Sequence, residues 1–555
     1  MCRKAPLADI GQIVTVESEK YSKKAGKQPA LRLLPSDVTT SNTNPLLRSS
    51  PSGFCVVFCL PLGQNQNRDM SKKCSVRSLS DSALAELANL LVSTISYAQY
   101  APDVQLDINI VMVELNEYLA QLGATPNIYQ DLLRVILSSD YLDANMRFTC
   151  LQMLLNCGVT FLMTEVFPFS YYEKILQVIA AQGAGLRVLN IKGIWVKEEH
   201  MHYMYDIVRK CKQLVKLYVP YIANDRLLEE IGNCCTRLQI LDISGETDIT
   251  EIGIDLLAKG VCSQSLTVVD VGMPGEENIC YSDIALILEH CPQVETLSTY
   301  SFVGASLKFI HDNVDDRFKC RLKYIHDTGT DEATLQVIMQ TCPRLETLYL
   351  DSPKTGSLRA LSTRNLRKLK IYKFVVAELL PLLERPIGRN LRHLTMIKGL
   401  GNLELGKLAR LCPSLIDLDC YMIDSLSYGA GHAKFQQLEG LEILSSAILT
   451  SSLKAFLCNS TDLKRLAVDT VEFTDDDIMS MFMQHDFKVL EDVWFTLAPE
   501  LTVQSVELLM DSCPELQSVG QLNGWSLTPD DLALIRGLLK SGNSSIVLTP
   551  NGFLA

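Results

Sequence analysis

From Leu186 onward, apolar residues recur in a fixed phrase: one apolar residue, two variable positions, a second apolar residue, one variable position and a third. The clearest copy is Cys342-Pro343-Arg344-Leu345-Glu346-Thr347-Leu348-Tyr349-Leu350, preceded by a run with helical spacing from Asp331 to Thr341. The first apolar position falls at Leu186, Leu214, Leu238, Leu266, Val294, Leu322, Leu345, Leu366, Leu391, Leu415, Leu438, Leu463, Leu490 and Leu516, fourteen units at a spacing of about 25 residues. Among the three inward positions of all units, only Thr299, Asp327 and Gln521 are polar. The pattern predicts one short strand per unit with its first, fourth and sixth residues turned inward, and a helix covering the other side. Each buried aliphatic side chain contributes roughly 1.5–3 kcal/mol, so stacked units build a core that no single unit could close. The expected architecture is an α/β solenoid over 183–555, a horseshoe with parallel strands on its concave face and helices on its convex face. The polar inward residues mark the units at Leu322 and Leu516 as places for irregular geometry or an end.

Upstream the period changes. Residues 78–182 read as helices: Ser80-Asp81 caps a run through Leu84, Leu87 and Leu91, and further helices fit 108–122, 129–138, 144–156 and 171–181. Their expected role is to cover the exposed end of the solenoid. Residues 1–77 carry no sustained period and are rich in Ser, Thr, Asn, Pro and Lys, the composition of a disordered tail. Met70-Ser71-Lys72-Lys73 reads as an alternative start.

Composition narrows the function classes. A net charge of -13 gives nothing in the total that attracts phosphate, so no nucleic-acid partner is expected. No run reaches the roughly 18 apolar residues of a membrane span. The 18 cysteines include no C-x-x-C pair, and many sit just before a strand phrase, which suits free thiols in a cytoplasmic or nuclear setting. No phosphate-binding loop, nucleophile elbow or zincin motif is present, and Cys235 of the Cys234-Cys235 pair occupies a buried repeat position. The chain therefore reads as non-enzymatic, with no cofactor or metal.

The units resemble the cysteine-containing leucine-rich repeats of F-box and related substrate receptors. Leu238-Gln239-Ile240-Leu241-Asp242-Ile243-Ser244-Gly245, followed by Asp248-Ile249-Thr250-Glu251-Ile252-Gly253-Ile254 and then Cys262, carries the likeness best. The resemblance implies that Thr250 caps the helix, with Ser282-Asp283, Thr330-Asp331, Thr474-Asp475 and Thr528 as variants of the same cap. An F-box opening is missing from 78–182. Ser78-Leu79 with Ala83 and Leu87 resembles instead the elongin-binding box of another cullin adaptor class, beside the plain reading of an amphipathic helix. The implied function is a substrate-recognition subunit of a ubiquitin-ligase-type assembly, with a protein partner on the concave face and the 78–182 helices meeting a cullin-ligase adaptor. A structural scaffold or stoichiometric inhibitor is the alternative.

Strand alternation locates the candidate binding residues, because side chains between the inward positions face the concave side. Arg367, Lys368, Lys370, Arg392 and His393 form a basic island flanked by Tyr349 and Tyr372. Asp417, Asp419 and Glu442 make an acidic neighbour, Asp242 and Asp270 make another near Tyr218, and Trp494 lies farther along. Aromatics there would bury area while Arg and Lys pair with an acidic or phosphorylated segment. His326 and His393 show no paired acid in the sequence and read as surface residues.

Overall fold

The computed structural model describes residues 78–549 apart from 101–106, 157, 246, 273–278, 300–301, 429–432, 486 and 542–545. The expected tail and the alternative start at Met70 lie outside the described residues. Among the described residues sixteen strands pair in one parallel sheet, neighbour to neighbour in chain order. The first six are short: β1 (Phe161–Met163), β2 (Val188–Asn190), β3 (Lys216–Tyr218), β4 (Ile240–Asp242), β5 (Val268–Asp270) and β6 (Thr296–Ser298). The middle strands lengthen: β7 (Tyr324–Thr328), β8 (Thr347–Asp351), β9 (Lys368–Val375), β10 (His393–Leu400), β12 (Asp417–Tyr421), β14 (Gly440–Leu444), β15 (Arg465–Asp469) and β16 (Asp492–Thr496). The sheet finishes with β17 (Ser518–Gly520) and β18 (Val547–Thr549), while β11 (Asn402–Glu404) and β13 (Ser425–Ser427) form a separate pair. Strands stack about 4.8 Å apart whereas helices need about 10 Å, so an array with strands on one side and helices on the other bends toward its strands. The fold is a leucine-rich-repeat solenoid.

The inward register holds at every position but Gln521. Leu345, Leu348 and Leu350 are fully buried, as are their counterparts from Leu186 to Val519, including the polar Thr299 and Asp327. Gln521 departs: it is half-buried and adopts a left-handed backbone, φ 59°. The unit at Leu322 is irregular as its Asp327 foretold. Strands β6 and β7 share only the Thr296–Tyr324 register. Asp327 turns its carboxylate to the start of the helix Val303–Asn313, accepting from the Gly304 amide at 2.8 Å, and Thr330 Oγ1 donates to its other oxygen at 2.5 Å.

The ends of the array extend beyond the fourteen units. Strand β1 lies inside the segment assigned to the helical cap, one repeat before Leu186, with Val159, Leu162 and Thr164 turned inward and buried. Its phrase escaped the apolar count because the sixth position is Thr164. Past Leu516 the sheet continues with β18 paired to β17, so that unit is not its end. Among the described residues four helices precede β1: α1 (Leu79–Tyr100), α2 (Ile108–Gln121), α3 (Pro126–Leu137) and α4 (Ala144–Leu154). Their buried residues, among them Leu91, Ile95, Leu119, Leu133 and Leu151, join Leu162 in one continuous core with the repeats. The first cap is Ser78, whose Oγ accepts from the Asp81 amide at 3.0 Å, so α1 begins slightly earlier than the Ser80-Asp81 reading placed it.

The threonine caps are partly as the resemblance implied. Thr250 accepts from Ile252 N at 3.2 Å, and Thr474 and Asp477 form a reciprocal capping box. Thr528 accepts from Asp531 N at 3.2 Å. Elsewhere the cap shifts along the chain: Asp331, not Thr330, accepts from Thr334 N at 2.9 Å. Before Ile284 the cap position is Cys280, whose amide Asp283 accepts at 2.8 Å. The residue after one cap also holds the next unit's cap. Asp225 accepts from the amide and hydroxyl of Thr250 at 2.7 and 2.6 Å, and Asp475 does the same for Thr502 at 3.0 and 2.7 Å. Cys211, Cys235, Cys291, Cys342, Cys412 and Cys513 each close the preceding helix as buried thiols.

Candidate functional site on the strand face

In each strand the residues flanking the fourth-position leucine project from the sheet, and the parallel register aligns them into rows. One row runs Tyr349, Lys370, Thr395, Asp419, Glu442, Ala467 and Trp494 across β8 to β16. The row beside it runs Thr347, Lys368, His393, Asp417, Gly440 and Arg465. Together they frame a depression of about 380 Å³ whose lining passes from Lys368 and Lys370 on one side to Asp419 and Glu442 on the other.

The two charge groups are in contact at His393. Its Nδ1 lies 2.6 Å from Asp417 Oδ2, and the other Asp417 oxygen accepts from Arg465 at 2.5 Å. The sequence reading of an unpaired His393 is therefore corrected: the acid is on the adjacent strand, at the same register. Partial burial, with the nearby Lys368, outweighs Asp417 and holds the His393 pKa below its ordinary value. Thr395 Oγ1 donates to Asp419 Oδ2 at 2.7 Å, while burial pushes the Asp419 carboxyl up to about 6, with the Glu442 charge adding to the effect. The Tyr421 hydroxyl donates to Glu442. Gly440 leaves the room this site uses, since a Cβ there would lie 2.2 Å from Asp417 Oδ1.

The aromatic flank is built by stacking. His326 lies flat on Tyr349 with ring centroids 3.9 Å apart, and Lys370 Nζ sits 4.6 Å from the Tyr349 centroid on the neighbouring strand. His326 is buried, not a surface residue, and burial lowers its pKa. Tyr372 is flanked by Lys373 and Lys398, 5.2 and 5.3 Å from its centroid. Both lysines occupy left-handed backbone, φ 50° and 54°, a conformation repeated just after the strand at Ser352, Met422, Ser445 and Leu497.

Two parts of the expected site separate from this centre. Arg367 and Arg392 do not share the depression with Lys368, Lys370 and His393; they line another at the strands' N-terminal edge, so the basic island is divided. Tyr218, Asp242 and Asp270 stand several strands away and include a cation the sequence reading missed. Lys192, just past β2, pairs with Asp242 at 3.0 Å and lies 5.2 Å from the Tyr218 centroid. Burial raises the Asp270 pKa although the Gly272 amide donates to it at 2.9 Å. Trp494 is mostly covered. A Cβ on Gly520 would come within 2.6 Å of its ring, and its buried Nε1 has no hydrogen-bond acceptor among the described residues.

No cluster of His, Cys, Asp and Glu able to hold a metal ion occurs among the described residues. No helix among them is long and apolar enough to cross a membrane.

No family model and no curated protein matches the chain. Among solved structures it is similar to a chain in the yeast Rad7–Elc1 complex, at 12% identity and TM-score 0.37, over 80% of this chain and 93% of that one. It is also similar to a leucine-rich-repeat protein of Leptospira interrogans, at 13% identity and TM-score 0.30, over 75% of this chain and 97% of that one.

Proposed function

We propose that the chain is a non-enzymatic protein-interaction module, the substrate-recognition subunit of a ubiquitin-ligase-type assembly. Its target would sit on the strand face, centred on Tyr349, Lys370, His393, Asp419 and Glu442. The observation that carries the reading is the Tyr349-to-Glu442 row. Five adjacent strands present aromatic, basic and acidic side chains in register, and the basic and acidic ones line one depression beside Tyr349. The helices α1 to α4 would meet the assembly. Of the elongin-box-like positions of α1, Leu79, 92% exposed, and the exposed Ala83 are open to a partner, while Leu87 is half-buried against the core.

Affinity purification of the full chain, followed by identification of retained proteins, tests both halves. Tyr349→Ala with Lys370→Glu is expected to release the target and keep the assembly. Leu79→Asp with Ala83→Glu is expected to release elongin, Skp-type or cullin subunits and keep the target. Absence of any such subunit from the parent chain would favour the scaffold or inhibitor reading instead.

A further inference from the structure

The N-terminal edge of the strands holds five arginines: Arg344, Arg364, Arg367, Arg389 and Arg392. They surround a depression of about 580 Å³ that also includes Glu346. All five are exposed, and none makes an ion pair with a described residue. Lys323, at the rim, is neutralised by Glu295 at 2.6 Å. Such a gathering of uncompensated cations stands out in a chain of net charge -13.

The cluster is built by a duplicated phrase, Arg-Asn-Leu-Arg at 364–367 and again at 389–392. In each copy the leucine is buried, the asparagine fastens the loop and the two arginines remain outside. Asn365 Nδ2 donates to Pro343 O at 2.9 Å, and Asn390 Nδ2 donates to Arg364 O at 3.0 Å. The Arg367 amide donates to Glu346 O and the Arg392 amide to Arg367 O, both at 2.8 Å. The second arginines of the two copies therefore start from adjacent strands about 4.8 Å apart, on backbone held by the sheet ladder. Guanidinium groups on a fixed frame at this spacing can converge on one tetrahedral oxyanion, each with two N–H donors.

We infer that this edge binds a phosphorylated side chain of a protein segment. The inference deepens the proposed function, since it presupposes a protein partner. Several guanidiniums match a phosphoryl dianion, and the site is short. The next two strands of the sheet, β12 and β14, carry Asp417, Asp419 and Glu442, which repel a long polyanion but tolerate one phosphate on a neutral segment.

Fluorescence anisotropy on the full chain tests it, using a labelled phosphoserine peptide with Gly, Ala and Ser flanks. The phosphorylated peptide is expected to bind at least about tenfold more tightly than its unphosphorylated form, and the difference to shrink as salt rises. Arg367→Gln with Arg392→Gln is expected to abolish that difference. Equal binding of the two peptides, or an intact difference in the arginine variant, overturns the inference. So does tighter binding of an oligothymidylate of equal charge, or of inorganic pyrophosphate without the peptide. Because the probe makes no demand on the strand face, failure here leaves the proposed target surface to its own purification test.

Discussion

The side chain of Gln130 takes the place of a missing strand beside Phe161. Its Nε2 donates to Phe161 O at 2.8 Å, and its Oε1 accepts from the amides of Phe161 and Thr160 at 2.9 and 3.0 Å. Strand β1 is the outer edge of a long parallel sheet, where unpaired backbone groups would template another chain. Helix α3 thus supplies both a cover and a substitute partner. Gln130→Ala is expected to speed amide exchange at Thr160 and Phe161 and to cost about 1–3 kcal/mol locally. Hydrogen-exchange mass spectrometry over 158–164 checks this; unchanged protection would show that α3 packing alone shields the edge.

Asp327 makes stability depend on pH. Burial pushes its carboxyl up to about 6 from an ordinary 3.8. With the folded value raised, its stabilising contribution is fully present below about pH 4 and is lost as pH rises through about 6. The shift corresponds to about 2–3 kcal/mol. Asp327→Asn removes the titration while its amide can still meet Thr330. Urea denaturation of parent and variant should therefore show a stability difference that changes across pH 4–6 and is flat above pH 7. A pH-independent difference would place the titration elsewhere.

Two glycines should respond to the same substitution with opposite signs. Gly520→Ala pushes a methyl into the Trp494 ring at 2.6 Å and is expected to destabilise by about 1–3 kcal/mol. Gly537→Ala meets nothing within 4 Å and lies inside the helix Pro529–Ser541, where alanine should add about 1 kcal/mol. Thermal melts of the two variants check the pair.

Leu497 holds a left-handed backbone, φ 49°, with its side chain 61% exposed, so it bears backbone strain without core packing to offset it. Leu497→Gly is expected to raise stability by about 1 kcal/mol, visible as a higher urea midpoint. A lower midpoint would mean that the leucine's contacts outweigh the strain.

The solenoid was legible because its periodic signal is redundant: Leu348 and Leu394 mean the same thing in their units, and the irregular unit was marked by Asp327 itself. Strand β1 was not legible. Its single sixth-position Thr164 weakened the phrase, and α3 and α4 just before it set a helical period. The site was legible row by row but not across rows. Strand alternation found Lys370, His393, Asp417, Asp419 and Glu442, yet the His393–Asp417–Arg465 contact depends on the register between separate strands. Alternation also could not separate Arg367 from Lys368, since one-residue neighbours at a strand start part company only when the edge of the sheet is built.

The buried thiols have a kinetic meaning. Burial pushes Cys211 up to about 11 and Cys235, Cys262, Cys291 and Cys412 up to about 12, so each stays protonated and unreactive while its unit is closed. Each becomes an ordinary thiol when that unit opens. The chain therefore carries a native set of clocks in five of its repeats: the order in which they take up an alkylating reagent would record where the spring first loosens.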